Sequence, residues 1–337
     1  MANVLRRTLN SDRTPANLRD PQNWPPGMRE EWGDDEGRSA ATRHRTSQVE
    51  AFRTARRALD EFKPDVVLIW GDDQYENFQL DLLTPFCVFA LDEVIVEPFK
   101  PSDGLKASAN VWNEPTDTVV KLGGHQEAAT LLAGELVRSG FDVACSFRLS
   151  HAKSLSHAFT RTLLYLDYDR KGFDYPVIPF HVNCYGSDLR IKGDAPPGLP
   201  RDNSRSRWLP PSPPPWRCYD LGKRIAEILS DSPWRAALIG SSSWSHASLT
   251  AKHAFVYPDI EADRKHLAEL RAGQFDRWRE LDHDEMRASG EHEMLNWVCL
   301  AGAMAGREPQ ILAYSETYLF NSDKVLALFP GSAPIAA

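Results

Sequence analysis

Acids, histidines and serines gather at five places in this sequence: Asp72-Asp73-Gln74-Tyr75, Ser150-His151, His181 with Asn183, Ser241 to His246, and Glu291-His292-Glu293. Carboxylates and imidazoles are the side chains of general acid–base catalysis and of divalent metal binding. Each place also has a plain structural alternative. Asp72 and Asp73 can cap a turn, a lone histidine is commonly a satisfied structural residue, and Ser241-Ser242-Ser243 can be a simple loop. GSSSWSH is not a GxSxG nucleophile elbow, because Trp244 and Ser245 break the pattern. Neither a Walker A loop nor GxGxxG nor HExxH occurs, so nucleotide and zincin chemistry have no motif support.

The elements that must position these residues follow from periodicity. Val66 to Trp70 is an uninterrupted apolar run, as expected of a strand buried on both faces of a parallel sheet. Phe141–Ser146, Tyr175–Asn183 and Arg235–Gly240 are read as further strands. The spacing of Val49, Phe52, Ala55, Leu59 and Phe62 predicts a helix from Thr42 to Phe62, stopped by Lys63-Pro64. Helices are also expected over Gln126–Ser139, Ser154–Leu166, Tyr219–Leu229, Glu261–Ala272 and Glu291–Met304. Alternation of helix and strand predicts a single α/β domain, with a central mixed, mostly parallel sheet covered by helices on both faces. In such folds sites form at the C-terminal ends of strands, which is where four of the five polar clusters fall. Residues 1–41, with only Trp24 and Trp32 as large aromatic anchors, are expected to form an irregular arm before a domain spanning 42–330. The proline-rich stretch 193–216 reads as a rigid surface connection rather than an interaction ligand.

Composition narrows the classes. The chain has 337 residues, 42% apolar and 26% charged, with 47 acids against 39 bases and a net charge of −8. An acidic surface argues against a nucleic-acid coat, and the basic stretch Arg43–Arg57, interleaved with acids, reads as a solvated helix face. No apolar run approaches the ~20 residues of a spanning helix. Met1–Asn10 has arginines without an apolar core, so no secretory signal is expected. Five cysteines without a CxxC pair suggest reduced thiols in a cytoplasm.

Taken in order, several motifs resemble those of the class III extradiol ring-cleavage dioxygenases, the superfamily of the protocatechuate 4,5-dioxygenase catalytic subunit. The resemblance covers about residues 42 to 305. PDVVLIWGDDQYENF followed by TPFCVFA is similar to the family's strand, its D-H turn and the PxF strand after it. SHAKSLSHAF resembles the DHG segment, YPVIPFHVN the next buried strand, and RCYDLGKRIAEIL the helix after the proline-bearing loop. GSSSWSHASL resembles GxGGxSHQ, and EHEMLNWVCLAGAM the E-x-x-x-W helix.

What the resemblance implies is one Fe(II) held by two histidines and a glutamate, with open positions for a catechol-type diol and dioxygen. Glu293 falls on the carboxylate ligand, with Trp297 one turn later; His246 falls on a catalytic histidine, and His151 on the histidine of DHG. Two departures stand out. Gln74 occupies the position of a ligand histidine, and a glutamine carbonyl is a weak ligand for Fe(II), so Asp73 or Asp72 is the expected substitute. The family's other ligand histidine sits in an H-x-P turn after a first strand that this chain lacks, which leaves a shorter product or a lost start as explanations. His44, His125, His157 and His181 are possible recruits. His157, six residues after His151, would face away from it on a helix, so the two are not expected to be joint ligands.

The resulting expectation is a ring-cleaving dioxygenase acting on a catechol- or protocatechuate-like diol. Its expected catalytic residues are His246 and His151, its metal ligands Glu293, Gln74 and Asp73, and its substrate contacts Tyr75, Ser245 and His157. Arg148, Arg190 and Lys192 are candidate partners for a substrate carboxylate. The alternatives are metal-independent acid–base chemistry on the same scaffold, or a non-catalytic aromatic-binding or partner subunit. The expected cofactor is Fe(II) and the expected partners are a small aromatic and dioxygen, without nucleic acid or membrane. By the resemblance, the assembly is a homo-oligomer, with a second small subunit as a further possibility.

Overall fold

The structure, a computed structural model, describes residues 2–12, 14–74, 76–100, 110–188 and 209–331. In chain order the principal elements are α1 (Ala2–Leu9), α2 (Pro26–Trp32), α3 (Arg38–Phe62), β1 (Val66–Gly71), β2 (Phe86–Phe89), β3 (Glu93–Val96), β4 (Val120–Gly123), α4 (Gln126–Arg138), β5 (Ala144–Ser146) and α5 (His157–Leu166). They continue with β6 (Val177–Val182), α6 (Pro215–Ser230), β7 (Ala236–Gly240), α7 (Ile260–Arg271), α8 (His283–Ala288), α9 (Met294–Ala303), β8 (Gln310–Ser315) and β9 (Lys324–Leu328).

The central sheet has the order β5-β2-β6-β1-β7. β1 pairs in parallel with β6 and with β7, β2 pairs in parallel with β5, and only β2 with β6 is antiparallel. This is the mixed, mostly parallel α/β sheet expected from the sequence. Every residue of β1 is buried, and its side chains alternate between two cores. Val66, Leu68 and Trp70 join the cluster built with α4, α6 and α9. Val67 and Ile69 join the cluster holding Leu59 of α3 with Phe159 and Leu163 of α5.

On the first face α6 and α9 cross with almost no space between backbones. A Cβ on Gly222 would lie 1.8 Å from the Cys299 carbonyl oxygen, and one on Gly302 would lie 1.9 Å from that of Tyr219. The glycines permit this approach, and it fixes α9 beneath the site.

Several elements differ from the sequence expectation. The first 41 residues are not an irregular arm: α1, α2 and the start of α3 lie there, and Leu5, Trp24, Met28 and Ala40 pack with Val256, Leu319 and Phe320. Their polar composition hid them, because only one side of each short helix is apolar. α9 begins at Met294 rather than Glu291, and α5 begins at His157 rather than Ser154. The β3–β4 and β8–β9 hairpins were not foreseen. No first strand precedes α3 among the described residues, and β7 forms the sheet's edge with all five residues half-buried. Residues 193–208 of the proline-rich stretch lie outside the described residues, and Pro215 opens α6 at a position where its missing N–H costs nothing.

Candidate functional site

The site forms where β1, β6 and β7 end, against the start of α5 and the turn before α9. β1 runs straight into Asp72, which is fully buried. Gly71 lets α5 come close: a Cβ there would meet the Phe159 ring at 2.8 Å and the Ala158 Cβ at 3.2 Å. The end of β7 holds the same helix and the turn before α9. Ser241 Oγ donates to the Ala158 carbonyl at 2.9 Å, and Ser242 Oγ donates to the Glu293 carbonyl at 2.8 Å. Trp297 Nε1 donates to the Ser242 carbonyl at 3.1 Å, which ties α9 to the same turn.

These contacts bring Asp72, His157 and Glu293 together, with one ligand-type atom from each lying within 4.8 Å of the others. His157 is oriented from behind by Glu76, whose carboxylate takes Nδ1–H at 2.7 Å and the His157 backbone N–H at 3.2 Å. Nε2 is then the nitrogen left for the centre, an arrangement shared by metal-binding histidines that lean on a carboxylate. Burial opposes the imidazolium, but Glu76, Asp72 and Glu293 together raise the His157 pKa to about 9.

Glu293 has a neighbour at each carboxylate oxygen. Tyr185 donates its hydroxyl to Oε1 at 2.5 Å, and His246 Nε2 lies 3.5 Å from Oε2. His246 Nδ1 meets the Trp244 carbonyl at 2.9 Å, which requires the proton on Nδ1 and directs Nε2 to the site. Tyr185 itself stacks on His292, with ring centroids 5.5 Å apart. Burial would raise the Glu293 pKa, but His246, His157, the Tyr185 hydroxyl and Arg161 together lower it. Asp72 moves the other way, pushed well up by burial and by the neighbouring Glu293 charge. Two buried carboxylates this close need a shared proton or a cation between them.

The donor set fits a divalent cation on its own chemistry. Asp72 Oδ2 is buried without a hydrogen-bond partner. An unpaired buried carboxylate oxygen beside a second carboxylate and an imidazole is what oxygen- and nitrogen-ligated metals such as Fe(II) take.

The sequence-predicted residues divide accordingly. Glu293 and His246 are at the centre. Gln74 is beside it, but its amide nitrogen donates to the Tyr185 hydroxyl at 2.7 Å and approaches Glu293 Oε1 at 3.5 Å, so it supports the carboxylate through its donor end. Asp73 points elsewhere: its carboxylate accepts the backbone N–H groups of Asn77 at 2.7 Å and Phe78 at 3.2 Å, the turn-capping role weighed against ligation. His157, expected as a substrate contact, stands with Asp72 and Glu293.

His151 lines the cavity that reaches the site but is not one of the Asp72, His157 and Glu293 group. Its Nε2 pairs with Asp81 at 2.9 Å. The segment between His151 and His157 is not helical, so the expectation of opposed helix faces does not apply to the pair. Leu-Ser-His occurs twice, at 149–151 and 155–157, and the second copy reaches the site. Ser245 is fully buried and used by the scaffold: Oγ donates to the Ser289 carbonyl at 2.5 Å and accepts from Asp259 N at 2.7 Å. Tyr75, Arg190 and Lys192 lie outside the described residues.

Of the other histidines, His181 is a neutral core residue against Phe78 at 4.6 Å, its pKa pushed down to about 3 by burial. His125 Nδ1 accepts the Ala128 N–H at 3.2 Å at the start of α4. Glu76 and Tyr185 were missed, and Asp72 was named only as the alternative to Asp73. The signal for Asp72 was its place immediately after a fully buried strand; Tyr185 follows the next buried strand but sits outside any motif.

Residues 208–324 match the family described as the catalytic LigB subunit of aromatic ring-opening dioxygenase. A 2,3-dihydroxyphenylpropionate/2,3-dihydroxicinnamic acid 1,2-dioxygenase of Comamonas testosteroni is 27% identical over 240 residues, covering 71% of this chain and 60% of that protein. A second protein of that description, from Pseudomonas putida, is 29% identical over 154 residues, covering 44% of this chain and 41% of its own length. One from Cupriavidus necator is 26% identical over 284 residues, covering 78% of this chain and 83% of its own. The match thus spans less than two thirds of the first two relatives. The chain is thus similar over residues 208–324 to that ring-opening dioxygenase family, and at 26–29% identity to these three relatives.

Proposed function

We propose that this protein is an extradiol-type dioxygenase that opens a catechol-like aromatic diol, with Fe(II) held by Asp72, His157 and Glu293. The observation that carries the reading is the convergence of those three side chains, with His246 Nε2 directed at the same carboxylate. Iron, when bound, supplies the electron relay without which dioxygen reacts poorly with an aromatic diol.

The chain's own residues have distinct tasks in this reading. His246, its Nδ1–H committed to the Trp244 carbonyl, presents Nε2 as the base for a diol hydroxyl proton and as the acid that returns it. Glu76 fixes the tautomer and orientation of His157. Tyr185 and Gln74 fix Glu293 and leave its charge developed towards the centre. An open cavity of about 2890 Å³ reaches the site and is lined by Asp72, Glu76, His157, Tyr185, His246 and Glu293, which gives a planar aromatic access to these groups.

The test is oxygen uptake with substituted catechols under chelation and after Fe(II) is restored. The proposal expects diol loss and oxygen uptake in a one-to-one ratio that disappears with chelator and returns with iron. Equal turnover by metal-free protein would favour acid–base chemistry by His246 instead. No helix among the described residues is long and apolar enough to cross a membrane, and all five cysteines are free. Both facts support a cytoplasmic setting; a homo-oligomer, with or without a small second subunit, remains the assembly we propose from the resemblance.

A further inference from the structure

The centre is rich in negative charge, with Asp72, Glu76 and Glu293 lining the cavity together. An anionic substrate would be repelled there unless a cation met its charged group. Among the described residues six arginines and lysines line the cavity: Arg45, Lys100, Arg161, Arg235, Arg307 and Lys324. Five are already held. Arg45 donates to the Tyr168 hydroxyl at 2.8 Å, Lys100 to Glu97 at 2.7 Å, Arg235 to the Lys63 carbonyl at 2.8 Å, Arg307 to the Pro330 carbonyl at 3.3 Å and Lys324 to the Ser322 carbonyl at 2.6 Å.

Arg161 differs. It is exposed, and among the described residues it has no hydrogen bond or ion pair. It sits four residues after His157 on α5, on the same face one turn away. Helical side chains lean towards the N-terminus, which carries the Arg161 stem back towards His157. Its charge is felt at the centre, where it helps hold the Glu293 carboxyl down. Arg148, the other described candidate from the sequence, is exposed and does not line the cavity.

We propose that Arg161 anchors a carboxylate on the side chain of the diol, and so selects anionic catechols over neutral ones. A guanidinium suits this task because its fork matches a carboxylate in two parallel hydrogen bonds. The inference rests on the ring-cleavage reading for its substrate class, and it names the residue that sets preference within that class.

The experiment compares 3-(2,3-dihydroxyphenyl)propionate with 3-propylcatechol, two probes that differ mainly in the carboxylate. Anaerobic binding to the Fe(II)-loaded protein and aerobic kcat/KM are both measured for wild type, Arg161→Met and Arg161→Lys. The expected result is a wild-type preference for the anionic probe that falls about ten-fold or more in Arg161→Met and is partly restored in Arg161→Lys, mainly through KM. Binding of the neutral probe reports separately that each variant is folded. An unchanged preference in Arg161→Met overturns the inference even if both probes are cleaved. Charge-selective binding lost in Arg161→Met, without cleavage of either probe, would uphold the anchor and remove the ring-cleavage reading. Failure of both probes to bind would remove both.

Discussion

Glu76 determines which nitrogen His157 offers to the centre. Both of its carboxylate oxygens are used on that one residue, and His157 in turn holds the Glu76 pKa down against the effect of burial. Glu76→Gln is therefore expected to weaken Fe(II) affinity roughly 10- to 100-fold while the fold persists, the size usual for a lost carboxylate behind a metal-binding histidine. Anaerobic titration followed by circular dichroism checks both halves. Ser245 makes the opposite case. Its hydroxyl joins the Ser289 carbonyl, Asp259 N and Thr250 in a dry network, so Ser245→Ala should lower stability by about 1–3 kcal/mol. Denaturant midpoints and substrate KM distinguish this from a binding role, which would move KM at constant stability. At this scale the sequence was informative where residue type and strand position coincided, as at Glu293 and His246. It was ambiguous where a tripeptide repeats, because Leu-Ser-His at 149–151 and 155–157 differ only in the backbone that carries them.

The elements place these residues by close approach. α6 and α9 meet through Gly222 and Gly302, each set against the other helix's backbone carbonyl. Gly222→Ala and Gly302→Ala should each cost roughly 3 kcal/mol or more, or prevent folding, because backbone rather than a flexible side chain must give way. Soluble yield and thermal unfolding of the two variants measure this. Gly71→Ala acts more locally, forcing α5 away from β1 at Phe159, and should loosen the site before it unfolds the protein. The strands and long helices were legible because their apolar periodicity was strong, with β1 the clearest case. The hairpins and the exact starts of α5 and α9 were not, since two residues of capping geometry decide them and the composition is the same either way. His151 lies outside α5 with either start, Ser154 or His157, so no helical register relates it to His157.

Across the whole molecule the cavity runs from the site along the edge strand β7 towards α3 and β9, where Lys324 is half-buried. Burial is the largest influence on Lys324 and lowers its pKa to about 8, against the pull of Asp323 and Glu31. The folded state thus binds this proton less readily than the unfolded chain. Below about pH 8 the full penalty of a buried charge is present, and it is relieved as pH rises towards the ordinary lysine value. The wild type should therefore gain stability relative to Lys324→Met between pH 8 and the ordinary lysine range, read as the difference in Tm at a series of pH values. A difference that does not change with pH would contradict this. The mostly parallel sheet was foreseen from alternation of elements, whereas the packing of the first 41 residues onto the segment around Val256 and Leu319 was not, because nothing local in a polar stretch reveals a partner far along the chain.

In the proposed site Asp72, His157 and Glu293 hold the metal, and Gln74 and Asp73 lie outside it. Anaerobic Fe(II) titration of wild type, Asp72→Asn, His157→Ala and Asp73→Asn tests it most directly. One Fe(II) per wild-type chain is expected, with binding weakened at least about 100-fold in Asp72→Asn and His157→Ala and near-wild-type binding in Asp73→Asn. Wild-type iron affinity in Asp72→Asn and His157→Ala, with loss in Asp73→Asn, would contradict it.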